Sequence, residues 1–229
     1  MEDSYEEALA RRSGEIMERI EAAARANGRD PGDIRLVAVS KTVGPEELFS
    51  AIRVGYRHFA ENRPQMLNAK LEALKTRSDL PPVDFDLIGN LQKNKINAVL
   101  GRVGLIHSIS SLHLAEAVST RALRREAELS AAAPQDVLLE VNISGEATKS
   151  GFTADEVRSA LDDLRVLTGI RIRGLMTMAP QGDARRARAT FEGLRALRDE
   201  LASRAPELDL RELSCGMSED FEEAVAAGS

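Results

Sequence analysis

The sequence predicts an α/β fold: a TIM-like (β/α) barrel forming one domain over residues 1–229. Three observations predict it. Short apolar, β-branched runs alternate with amphipathic stretches along the chain, the texture of buried parallel strands joined by right-handed crossover helices. Seven such runs occur, more than an open sheet usually holds. The 229 residues also contain no Gly/Ser-rich linker, low-complexity tract or internal repeat, which suits one barrel-sized unit.

The elements follow in order. Residues 4–27 read as a helix, with Leu9, Ile16, Ile20 and Ala23–Ala24 at roughly helical spacing and Asn27–Gly28 as its stop. After the turn at Asp30–Asp33, the run Ile34–Lys41 has the nearly continuous apolar character of a buried strand. Residues 45–54 suit a helix with Pro45 in its first turn. Tyr56–Asn62 is the second strand, residues 64–77 a helix, and Phe85–Gly89 the third strand. Residues 92–100 look helical, Leu105–Ile109 is a strand, and 112–129 is a long amphipathic helix. Asp136–Ile143, Ile172–Met178 and Leu210–Ser214 are the remaining strands, with helices over 153–167, 183–204 and 218–227.

Composition narrows the function classes. Hydrophobic residues make up 43% and charged residues 30%, as expected of a globular protein, while aromatics are 3% with no Trp. The core must therefore be aliphatic, and there is no stacking platform for single-stranded nucleic acid. A net charge of -6 argues against nucleic-acid or anionic-membrane binding. The Arg-rich stretch 185–188 is interleaved with acids and reads as a solvated helix face. No apolar run approaches the ~18 residues of a membrane span. The N-terminal stretch lacks the apolar region of a secretory signal. Cys215 is the only cysteine, so no intramolecular disulfide forms. The expected setting is the cytoplasm.

In a parallel barrel, function sits at the C-terminal ends of the strands. Those ends offer Ser40–Lys41, Glu61–Asn62, Gly89–Asn90, Ser108, Asn142, Met178 and Ser214–Ser218. Lys41 stands out, because only six of the 31 basic residues are Lys. A lysine following a buried strand is partly desolvated, its ammonium pKa falls, and it becomes an amine nucleophile able to form a Schiff base with a carbonyl. The competing reading is a snorkelling lysine, or one paired with Glu61. Ser214–Ser218 leads into a helix with Ser218 as its N-cap, either a phosphate cradle or an ordinary cap whose dipole Glu219 and Asp220 already satisfy. His58, His107 and His113 have no metal-ligand spacing, and His107, inside an apolar strand, reads as a hydrogen-bonded core histidine.

At these residues the sequence resembles the YggS/PROSC-type pyridoxal phosphate homeostasis proteins. Leu36–Thr42 is similar to the family's cofactor-lysine strand, Phe59–Asn62 with Gln65 to its F-G-E-N-x-x-Q segment, and Leu87–Lys95 to its I-G-x-L-Q-x-N-K block. Ile106–Ser111, Val141–Gly151, Arg173–Pro180 and Leu213–Asp220 continue the series in the family's order. The resemblance implies a barrel like the N-terminal domain of alanine racemase, with pyridoxal 5′-phosphate held as a Schiff base on Lys41. It implies phosphate contacts from Ser218 and nearby backbone, and Asn62 and Met217 around the pocket. Lys93, Lys95 and Lys149 match family lysines that could meet the cofactor during transfer.

The implied role is a monomeric, non-catalytic carrier in intracellular cofactor homeostasis, delivering to pyridoxal phosphate-dependent apoenzymes, with no nucleic acid or membrane partner. The alternative is a small racemase. Racemisation needs a base on each face of the cofactor–substrate adduct, and Tyr5 and Tyr56, the only tyrosines, fall at no predicted strand end. A Schiff-base aldolase is more distant, for want of an acid/base partner to Lys41. Ala60, Met66, Asp86 and Ser110 depart from the family's usual Gly, acid, His and Asp. The sequence also stops before the family's x-V-R-I-G-x-x-I-F-G strand. Either the sequence is a piece cut short of that strand, or the barrel lacks its last strand and a partner or the N-terminal helix closes the seam between the first and seventh strands.

Overall fold

The structure, a computed structural model, describes residues 4–129, 134–146 and 149–229. Its strands are β1 (Ala38–Val39), β2 (His58–Glu61), β3 (Asp84–Leu87), β4 (Leu105–Ile109), β5 (Gln135–Glu140), β6 (Ile170–Met176) and β7 (Glu212–Ser214). Its α-helices are α1 (Tyr5–Ala26), α2 (Pro45–Val54), α3 (Pro64–Leu74), α4 (Leu112–Leu129), α5 (Ala154–Leu164), α6 (Ala184–Arg204) and α7 (Phe221–Ala227). Each strand pairs in parallel with the next, in the order β1 to β7. Thr148, within the Val141–Gly151 block, lies outside the described residues.

Local chemistry sets the helix ends. Ser4 and Thr153 each accept from the third backbone N–H of the following helix while Glu7 and Glu156 reach back, so α1 and α5 begin in capping boxes. Pro45 and Pro64 stand in the first turns of α2 and α3, where a missing N–H costs nothing. Residues 92–100 are helical only as a 3-10 segment, Lys93–Ala98. That polar stretch buries Ile96 alone, too little apolar face to extend a full α-helix. The expected first strand, Ile34–Lys41, makes ladder pairs only over Ala38–Val39, because β1 has a single neighbour.

Alternation along the strands separates two faces. Phe59, Leu87, Ile106, Val137, Leu139 and Leu175 pack with helical Leu48, Ile52, Leu67, Val118, Leu161 and Leu194 in the main core. This core is aliphatic as the composition requires, with Phe59 and Phe85 stacked at 5.7 Å between ring centroids. The opposite, concave face carries a separate small cluster of Leu105, Leu138 and Met176. Polar Asp86 and His107 share that face.

The sheet curls strongly. His107 on β4 reaches Ser214 on β7 with Nδ1 2.8 Å from Oγ. Arg35, just ahead of β1, stands 3.5 Å from Glu212 at the start of β7. Strands β1 and β7 share no ladder among the described residues. Helix α1 spans that side from outside: Ile20 and Ala24 pack with Val225 of α7 and with Ile34 and Leu36, and Arg19 makes a bidentate pair with Glu222. The TIM-like architecture expected from the sequence is what the described residues adopt: seven parallel strands in a curled half-barrel with helices packed outside.

Candidate functional site

The C-terminal strand ends gather the residues singled out from sequence. Ser40 C=O accepts the Val43 N–H at 3.1 Å, which closes a tight turn with Lys41 as its second residue. Lys41 is exposed, and its amine makes no hydrogen bond or ion pair among the described residues. The expected partial desolvation is therefore not provided by the described residues. Pairing with Glu61 is absent too, since that carboxylate is taken by Lys70.

Asn62 follows β2. The last ladder pair between β1 and β2, Val39 with Ala60, stands two residues before Lys41 and two before Asn62, so both follow neighbouring strand ends. Its backbone is fixed from the other side by Gly89: a Cβ there would lie 2.0 Å from the Asn62 carbonyl oxygen, so only glycine allows this approach.

Met217 and Ser218 lie in the loop after β7. The sequence reading placed the helix start at Ser218, but α7 begins at Phe221 with Asp220 as its N-cap. The reason is local: the Asp220 carboxylate accepts the Met217 N–H at 2.5 Å, and the Met217 C=O accepts from Asp220 and Phe221, which holds 217–220 as a turn. The N–H groups of Gly216, Ser218 and Glu219 then have no partner among the described residues, and Ser218 is exposed. Val39, Met178 and Met217, at or just beyond the ends of β1, β6 and β7, remain 48%, 46% and 42% exposed. A free amine, uncommitted donors and exposed apolar side chains thus occupy strand ends on the same side of the sheet.

Deeper in the concavity lie groups that sequence reasoning did not connect. His107 Nε2 is 3.3 Å from Asp86 Oδ2, whose Oδ1 accepts the Leu105 N–H at 3.0 Å. Buried His107 is thus the hydrogen-bonded core histidine its apolar strand implied. Glu140, buried at the end of β5, accepts from Ser150 Oγ at 2.6 Å, and burial raises its pKa above the ordinary carboxylate value. Burial also pushes the Cys215 thiol up to about 12. Lys149 bonds Glu146 at 3.0 Å and the Met178 C=O at 3.1 Å, while Lys93 and Lys95 lie on the 3-10 segment. Lys70 was missed altogether. It is 1% exposed beneath the Lys41 turn, and nothing in a helical lysine's sequence context announces such burial.

No described helix is long and apolar enough to cross a membrane, and no described cluster of His, Cys, Asp and Glu could hold a metal ion.

Residues 13–227 match the family described as alanine racemase, N-terminal domain. The chain is 37% identical over 219 residues to the pyridoxal phosphate homeostasis protein of Aquifex aeolicus, covering 95% of this chain and 91% of that one. Among solved structures it superposes on a protein of unknown function from Bifidobacterium adolescentis with a TM-score of 0.88 at 36% identity, covering all of this chain and 93% of that one. It also superposes on PipY of Synechococcus elongatus with pyridoxal phosphate bound, with a TM-score of 0.76 at 34% identity, covering 92% of this chain and 94% of the other. On its fold, its strand-end residues and these relatives together, the chain belongs to the family of pyridoxal phosphate homeostasis proteins built on the alanine racemase N-terminal domain.

Proposed function

We propose that this protein binds pyridoxal 5′-phosphate and keeps it available within the cell, holding it as a Schiff base on Lys41. The observation that carries the reading is the pairing of an uncommitted amine on Lys41 with an uncommitted donor set after β7. Three free N–H groups and the Ser218 hydroxyl have the chemistry a phosphate monoester requires. When bound, the cofactor supplies an aldehyde carbon that a primary amine attacks with loss of water. The chain's part is to present that amine and grip the phosphate. Asn62, at the neighbouring strand end, offers a side-chain amide for a polar group on the ring, and Met217 an apolar wall.

A carrier fits better than a racemase. A second base is needed on the far face of a racemising centre. Tyr56 precedes β2, at the opposite end of the sheet from Lys41, and packs against Phe59 at 6.4 Å between centroids. Tyr5 opens α1 in solvent. Neither stands near the strand ends. The relatives, named for homeostasis and not for catalysis, support the same choice.

The test is an absorbance spectrum with pyridoxal phosphate before and after borohydride, followed by peptide mapping. A visible band that borohydride abolishes, with the adduct on Lys41 and absent in Lys41→Ala, is the expected result. An adduct elsewhere, or none, overturns the assignment. Racemisation of added amino acids would favour the enzyme.

A further inference from the structure

On the helix-facing side of β1 and β2, directly behind the Lys41 turn, lies a buried ion pair. Lys70 of α3 and Glu61 of β2 are 1% and 0% exposed, and Lys70 Nζ bonds Glu61 Oε1. The same Nζ donates to the Ser40 C=O at 2.5 Å, and Ser40 Oγ donates to Glu61 Oε1 at 2.7 Å. Ser40 N–H is held by the Ala60 C=O at 3.0 Å. Every polar group of the residue before Lys41 is thus committed, and both its side chain and its carbonyl are tied to this pair.

Stability alone is a poor account of the arrangement. Two charges held away from solvent carry a large desolvation penalty, and a well-packed apolar pair of similar volume is often as stable. Glu61 Oε2 is, moreover, buried with no partner among the described residues, so the pair is not even fully satisfied. What an apolar pair cannot do is bond the Ser40 carbonyl, which is also the acceptor that closes the Lys41 turn.

We infer that Glu61 and Lys70 are positioning residues: they clamp the Ser40–Val43 turn from behind, so that an otherwise unrestrained Lys41 amine is presented at one place over the strand ends. The inference rests on the reading of Lys41 as the amine that takes the cofactor aldehyde.

The experiment compares wild type, Lys41→Ala and the double variant Lys70→Met/Glu61→Leu, which replaces the pair by apolar groups. Three quantities are read: melting temperature, the rate of borohydride-trappable adduct formation on Lys41, and affinity for pyridoxine phosphate. That last ligand carries the phosphate and ring but no aldehyde. The double variant is expected to keep the melting temperature and the pyridoxine phosphate affinity of wild type while forming the Lys41 adduct on the order of 10- to 100-fold more slowly, the usual penalty for a reacting group displaced by about an ångström. An unchanged adduct rate overturns the inference. So does a parallel loss of pyridoxine phosphate affinity, which would make the pair a support of the whole pocket. No Lys41 adduct in wild type would instead overturn the proposed function, and this inference with it. If the double variant does not fold, Lys70→Arg provides the same contrast, since it keeps the charge but carries its donors on a longer, planar head.

Discussion

His107 Nδ1 on the fourth strand lies 2.8 Å from Ser214 Oγ on the seventh, a bond that spans the concavity of the sheet. On its other side the ring places Nε2 3.3 Å from Asp86 Oδ2, so one imidazole joins three strands. The link ties the last strand, which has one ladder neighbour, to the middle of the sheet. Ser214→Ala is expected to cost about 1 kcal/mol of stability. His107→Leu should cost more, because it strips Asp86 of a buried partner. A double-mutant cycle should return a coupling of about 0.5–1.5 kcal/mol, and a coupling indistinguishable from zero would mean the contact contributes nothing.

Gly89 is a second fixed point, this time for the site itself. Its Cα approaches Asn62 so closely that a methyl group would overlap the carbonyl oxygen at 2.0 Å. Ser108 Oγ holds the Gly89 C=O at 2.6 Å, so the chain cannot easily move away. Gly89→Ala should therefore lower stability by about 1–3 kcal/mol, as overpacking does. It should also shift the Asn62 amide resonance in an NMR spectrum more than those of α5. Stability and resonances equal to wild type would show that the approach is not tight.

These cases show what could be read beforehand. The bounds of α2 coincide with the expected ones, because the apolar period there is bracketed by Pro45 at its first turn and Gly55 just after its last residue. Ile34–Lys41 is a nearly continuous apolar run, yet only two of its residues form a ladder, since pairing depends on a neighbour and not on the run itself. Lys41 was legible as a strand-end amine, but its exposure depends on loops contributed by other strands. The Glu61–Lys70 pair was not legible, because an amphipathic helix does not declare which sheet residue its lysine meets. Asp86, His107 and Ser214 come from three strands, the last two 107 residues apart, and only the curl of the sheet unites them.

Cys215 makes a simpler prediction. Burial, reinforced by the nearby Asp220 carboxylate, pushes its thiol up to about 12. Almost no thiolate is then present at neutral pH, and the thiolate is the reactive form. Iodoacetamide at about pH 7 should modify native Cys215 at least ~100-fold more slowly than the denatured chain. Comparable rates before and after denaturation would contradict the burial.

Glu140 carries the pH dependence. Its carboxyl sits above its ordinary value of 4.5 because burial disfavours the charge, and the Ser150 hydroxyl only partly offsets this. A group whose folded pKa is raised contributes stability that is fully present below its unfolded pKa and is lost as pH rises through the folded value. Wild type should therefore carry a penalty at neutral pH from ionising Glu140 in place. Glu140→Gln keeps an oxygen to accept from Ser150 and removes the charge. The variant is expected to be more stable than wild type at about pH 7, with the gain shrinking as the pH falls toward ~4.5. Urea denaturation at several pH values measures this difference directly. A gain of the same size at every pH would trace it to packing, and a loss at neutral pH would show that the ionised carboxylate is held by a partner stronger than Ser150.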